Sequence, residues 1–184
     1  MSRVDAKTNP LTKGLTQNLF KIPFTRDKSI KFDGTDDQVL LGVSIPSTFT
    51  ISFWFKQTDT ANGEYLFDSR NADVNAWAAW TTYQSATNSH TVSAWNSSTL
   101  SGTIHIPVNT WAHVALTFSS STLSIYVNGE FDVSGSFSER DTPDIKVGTR
   151  YTGGNAWQGS MDEWAIFSTA LTAREIDELY NNGQ

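Results

Sequence analysis

Thr122-Leu123-Ser124-Ile125-Tyr126-Val127-Asn128-Gly129-Glu130-Phe131-Asp132-Val133-Ser134 is the stretch whose reading decides the fold. Leu123, Ile125 and Val127 alternate with polar or amphipathic residues, the period of a strand with one buried face. Asn128-Gly129 then fits the two positive-φ positions of a type I′ turn, which joins antiparallel strands. The stretch is a β-hairpin. Upstream, Trp111-Ala112-His113-Val114-Ala115-Leu116-Thr117-Phe118 is the strand before it. Further back, Phe49-Thr50-Ile51-Ser52-Phe53-Trp54-Phe55-Lys56 sets four large apolar residues against Thr50, Ser52 and Trp54. With Trp54 on its second face, this strand reads as central and covered on both sides. More strands are expected at 29–32, 38–41, 64–68, 77–83, 91–95, 144–148 and 159–167, each bounded by Asn, Ser, Asp or Gly.

The rest of the composition agrees. The chain has 184 residues, the size of one domain. Forty-four are Ser or Thr, and with seven Trp and eleven Phe this suits a β-rich protein better than a helical bundle. The aromatic content also argues against disorder. Zero cysteines exclude a disulfide framework, a thiolate zinc site and a cysteine nucleophile. The longest apolar runs are too short to span a membrane, and MSRVDAKTNPLTKG lacks the apolar centre of a secretory signal.

One helix is expected, at the end. Thr172-Ala173-Arg174-Glu175 is a capping box, Leu171 and Ile176 are placed as a hydrophobic staple, and Ile176, Leu179 and Tyr180 share one face. These signals predict a helix near 172–181, with Gly183 to end it.

Residues 1–28 differ from the rest of the chain and read as an extended arm before a domain at 29–184. Positions 1–31 hold seven basic and two acidic side chains, a net of +5, which leaves −11 for 32–184. An acidic body disfavours nucleic acid as a partner. The basic arm, with Arg3, Lys7, Lys13 and Lys21 beside apolar Phe20 and Phe24, suits docking on an acidic protein surface.

Three stretches, in this order, carry a resemblance. They are Ile30-Lys31-Phe32-Asp33-Gly34-Thr35-Asp36-Asp37-Gln38-Val39; the Trp111–Phe118 strand with the hairpin through Gly129; and Gly159-Ser160-Met161-Asp162-Glu163-Trp164-Ala165-Ile166-Phe167 followed by Ala170-Leu171-Thr172-Ala173-Arg174-Glu175-Ile176. Together, over 29–183, they resemble a laminin G-like domain of the concanavalin A-like lectin/glucanase superfamily. The resemblance implies an all-β, two-sheet antiparallel jelly-roll sandwich with one short C-terminal helix. It also implies a structural role for the His113 ring and an aromatic packing role for Trp157. Such a fold hosts lectins, adhesion modules and glucanases alike, so function has to come from the site.

Glycoside hydrolysis needs two carboxylates facing one bond. Glu175-Ile176-Asp177-Glu178 looks superficially like a glucanase signature, but on a helix residues two apart point away from each other. Catalysis is not expected. His90 and His105 read as isolated polar residues at strand edges. Asp33, Asp36 and Asp37 cluster in one turn, and the resemblance places Asp162 beside it; these four are the candidate ligands for a structural calcium, against the alternative of plain turn chemistry. Trp77, Trp80, Tyr83 and Trp95 are the candidate glycan- or protein-binding residues, rings among amides and hydroxyls, while Trp54, Trp111 and Trp164 are assigned to the core. The expected function is a non-catalytic structural or attachment protein on a virion or extracellular particle surface, a decoration, fibre or tail component held by its arm. The alternative is a free carbohydrate-binding lectin, with or without calcium, and a glucanase comes third.

Overall fold

The computed structural model describes residues 19–21, 29–71, 76–140 and 144–182. In chain order the elements are β1 (Leu19–Lys21), β2 (Ile30–Asp33), β3 (Val39–Leu40), β4 (Phe49–Gln57), β5 (Tyr65–Asp68), β6 (Ala78–Gln84) and β7 (Ser89–Trp95). They continue with β8 (Thr99–Ser101), β9 (Ile106–Pro107), β10 (Ala112–Ser119), β11 (Thr122–Val127), β12 (Glu130–Ser136), β13 (Lys146–Val147), β14 (Gln158–Phe167) and α1 (Ala173–Asn182). The strands form two seven-stranded antiparallel sheets: β1-β14-β4-β10-β11-β12 with β2 also on β14, and β3-β13-β5-β6-β7-β8 with β9 also on β7. This is the expected jelly-roll sandwich with its single short helix. No helix among the described residues is long and apolar enough to cross a membrane.

β4 lies between β14 and β10, the central position expected of it. Phe49, Ile51, Phe53 and Phe55 point between the sheets and are fully buried there. Trp164 stacks on Phe53 at 4.2 Å, and Trp157 meets Phe55 edge-on at 5.5 Å. On the other face, the Thr50 hydroxyl donates to Thr169 O and accepts from Leu171 N, both at 2.8 Å, which ties the strand to the segment entering α1. Leu171 and Ile176 are buried there with Ala115, Ala165 and Phe167. Tyr180 of α1 stacks on Trp54 at 5.6 Å. His113 is buried behind them and bonds Ser52 Oγ through Nε2 at 2.8 Å, the expected structural role.

The local signals act as the sequence predicts. Asn128 and Gly129 have φ of 51° and 81°, the pair of positive values that a type I′ turn needs. Thr172 N and Oγ1 both donate to Glu175 Oε2 at 2.8 Å, while Glu175 N donates back to the Thr172 hydroxyl at 3.3 Å. The strands β8 and β9 were not expected. Both are two- or three-residue pieces flanked by Ser, Gly and Pro, which read as loop and are captured only by pairing with β7.

Of the arm, Arg3, Lys7, Lys13 and Phe24 lie outside the described residues. Phe20 and Lys21 belong to β1, whose backbone pairs with β14 of the same chain, Phe20 opposite Ile166 and Lys21 opposite Ala165. Trp111, assigned to the core, is instead 36% exposed, with Lys56 Nζ 5.5 Å from its ring. It precedes β10 rather than sitting within it, so no sheet face covers it.

Candidate functional site

Side chains on a strand alternate between faces, so Trp77 and Trp80, three apart, face opposite ways. Trp77 points between the sheets, 3% exposed, against Phe49, Phe118 and Phe137. It cannot present a ring to a ligand; its candidacy is corrected by burial. Trp80 stands half-buried on the outer face of the second sheet. Tyr65 is opposite it in register, and Trp95 is opposite Ala78, so all three share that face. Tyr83 has the parity of Trp77 and packs on His90 at 5.4 Å, with its hydroxyl donating to Asn88 Oδ1 at 3.0 Å. It does not join the group. Of the four aromatic candidates, Trp80 and Trp95 come together.

Arg70 organises what surrounds them. Its guanidinium lies 5.3 Å from the Tyr65 ring, 4.9 Å from Trp95 and 5.3 Å from Tyr151. Nε and Nη2 donate to the two oxygens of Asp68 at 2.8 and 2.6 Å, a fork-to-carboxylate pair. Asp68, with 0% exposure, also accepts from Arg70 N at 2.9 Å and Tyr151 N at 3.1 Å, which fixes the loop carrying Tyr151. Tyr65 meets Trp80 at 5.7 Å. The result is a row of half-buried rings, with Tyr65, Trp95 and Tyr151 around one held cation and Trp80 beside Tyr65, on a floor of Ala78 and Ser93. Such a surface offers flat apolar faces to C–H groups and polar edges to hydroxyls.

Tyr65, Arg70 and Tyr151 were missed in the sequence. They come from three separate segments, and no spacing links them. The one available signal was parity: Trp80 and Trp95 are the two candidate rings whose strand positions leave them on an outer face.

The acidic candidates divide. Asp33, Asp36 and Asp37 are exposed, with carboxylate oxygens within 4.8 Å of one another. Asp33 Oδ1 accepts from Thr35 N at 2.8 Å, and Asp37 Oδ2 accepts from Asp33 N at 3.0 Å, so part of this acidity is turn chemistry. Asp162 is not with them. Gln158 is the β14 residue opposite Asp33, so Asp162 lies roughly 13 Å further along the strand. It accepts from Glu163 N at 2.8 Å at a bulge where Glu163 has φ of 49°. That extra residue turns Trp164 inward after Met161.

A carboxyl pair unremarked in the sequence is Asp59–Glu64. Gln57 Nε2 donates to Asp59 at 2.9 Å and to Glu64 at 3.0 Å, and Gln158 N donates to Glu64 at 3.0 Å. Burial, with Asp59 beside it, pushes the Glu64 carboxyl up to about 8. These carboxyls share one donor rather than flanking a space for a glycosidic bond, so they do not form a hydrolytic pair. Glu175 and Asp177 sit on α1, as expected, and do not converge. His90 is buried, 1% exposed, rather than at a strand surface, and burial lowers its pKa.

The fold is similar to a heptameric SAP-like pentraxin from Limulus polyphemus, at 19% identity and TM-score 0.70, over 84% of this chain and 82% of that one. It is also similar to domain 4 of a GH43 extracellular arabinanase from Geobacillus stearothermophilus in complex with arabinotriose, at 17% identity and TM-score 0.62, covering 89% and 81%. A third similar structure is the CBM40 of a Ruminococcus gnavus IT-sialidase bound to α2,3-sialyllactose, at 13% identity and TM-score 0.64, covering 84% and 97%. At these identities the likeness is one of fold. No curated protein matches the sequence significantly. Residues 33–177, most of the chain, match a laminin G family model. The chain belongs to the concanavalin A-like lectin/glucanases superfamily.

Proposed function

We propose that this protein is a non-catalytic carbohydrate-binding module that takes glycan on the outer face of its second sheet. The observation that carries the reading is the row of Trp80, Tyr65, Trp95 and Tyr151, the last three of them gathered on the Arg70–Asp68 pair. Two neighbours of the same fold, the arabinanase domain and the sialidase CBM40, are recorded with bound saccharides, which supports the reading by analogy of fold. Burying one sugar face on an indole is worth about 1–2 kcal/mol. Trp80→Ala or Trp95→Ala should therefore weaken binding on a glycan array by about five- to thirtyfold. A wild-type protein that binds no glycan on the array overturns the reading.

Display on a virion or extracellular particle through residues 1–28 is a second reading. Charge opposition between arm and body supports it. The pairing of β1 with β14 of its own chain supports docking of that segment at home rather than on a partner. A calcium ion at Asp33, Asp36 and Asp37 would be a structural staple in either reading. Three clustered carboxylates suit a hard cation, and Asp162 takes no part. If it binds, chelator lowers the melting temperature and Asp36→Asn removes that response; a melting temperature indifferent to chelator leaves the turn held by its own hydrogen bonds.

A further inference from the structure

Six basic residues follow position 31, and three of them, Arg70, Lys146 and Arg150, gather around Tyr151. That concentration stands out on a body of net −11. Each cation has a different fate. Arg70 is neutralised by Asp68. Lys146 Nζ donates to the neutral Tyr151 O at 3.1 Å and makes no ion pair among the described residues. Arg150 sets its guanidinium 5.8 Å from the Tyr151 ring and makes no ion pair among the described residues. Its Nε is buried and has no acceptor among the described residues.

A buried guanidinium N–H without an acceptor is costly, and few such groups persist in folded proteins without a reason. Arg150 as a whole is only half-buried, and its Nη atoms are not enclosed as Nε is. An arriving anion can pair the charge there with charge-assisted bonds, a fork geometry that suits a carboxylate or sulfate. Beside it lies the row of rings on which a sugar would stack. We infer that the glycan bound on this face is acidic, a sugar carrying a carboxylate or sulfate that Arg150 grips while the rings hold the pyranose. Lys146 adds to the local field. The inference rests on the carbohydrate-binding reading of the same face.

Calorimetry with matched sugars tests it: lactose, 3′-sialyllactose and 3′-sulfolactose, and a galacto-oligosaccharide against an oligogalacturonate of equal length. At least one acidic sugar should bind the wild type about tenfold or more tighter than its neutral counterpart. The sialyl and galacturonate arms report on carboxylate, and the sulfated arm on sulfate. Arg150→Gln should bring that ratio close to one, with neutral-sugar affinity unchanged and a melting temperature no lower than wild type, while Arg150→Lys keeps part of it. High salt should weaken only the acidic arms. Equal affinities for acidic and neutral sugars, or a ratio that survives Arg150→Gln, overturn the inference and leave the glycan-binding reading standing. No binding of any sugar, or binding indifferent to Trp80→Ala, overturns the reading of the face and the inference with it.

Discussion

Glu64 and His113 act on stability with opposite signs as pH changes. In the folded protein Glu64 titrates near 8 against an ordinary 4.5, because burial penalises its charge. The folded state therefore keeps a proton that the unfolded state releases, and this contribution is full below 4.5 and lost as pH rises to about 8. His113 is pushed by burial from 6.5 down to about 4, so its contribution is full above 6.5 and lost as pH falls toward 4. His90 shifts in the same direction as His113. From pH 6.5 to 8 the Glu64 effect is unopposed by either histidine, and stability should decline. Glu64→Gln, which keeps the carbonyl that Gln57 and Gln158 bond, should flatten that decline in melting temperatures compared at pH 6.5 and 8. A wild-type melting temperature constant over that range would contradict the assignment. Residues are also the scale at which the sequence was hardest to read. Trp77 and Trp80 looked equivalent in composition, and only strand parity separates a core ring from a surface one. Arg70 looked like an ordinary surface cation until the register brought three rings and Asp68 around it.

The β11–β12 turn and α1 are coupled. A Cβ on Gly129, at φ 81°, would stand 3.0 Å from Asp177 Oδ1 and 3.2 Å from Tyr180 Cδ1. The hairpin and the helix thus meet at a position that glycine fills on two grounds, its φ and its size. Gly129→Val should cost about 1–3 kcal/mol, read as a lower urea midpoint with an unchanged slope. A midpoint equal to wild type would mean that the turn relaxes at no cost. Elements like these were legible in the sequence because their signals are local: Asn128-Gly129 dictates its own dihedrals, and Thr172 and Glu175 satisfy each other across one turn of helix. β8 and β9 were not, since their few residues gain strand geometry only from the β7 edge that they pair with. The Asp162–Glu163 bulge was hidden for the same reason, as its extra residue exists only relative to β4.

At the scale of the whole molecule, the described part of the arm contributes one edge strand to the sandwich. The two sheets bury a continuous core from Phe32 to Ile166, and β1 adds three residues at the outer edge of β14. Deleting residues 1–28 should leave the domain folded, with a melting temperature lowered by a few degrees for the lost ladder, on the order of 1 kcal/mol. Loss of cooperative melting would show that the arm is part of the fold rather than added to it. The central claim is that glycan binds on the rings of the second sheet. Its most direct test is an NMR titration of the seven tryptophan indole N–H signals with an oligosaccharide that binds. The signals of Trp80 and Trp95 should shift on addition of sugar, while those of the buried Trp77, Trp157 and Trp164 stay in place. Shifts confined to Trp111 or Trp54, on or beside the opposite sheet, with Trp80 and Trp95 unmoved, would contradict it.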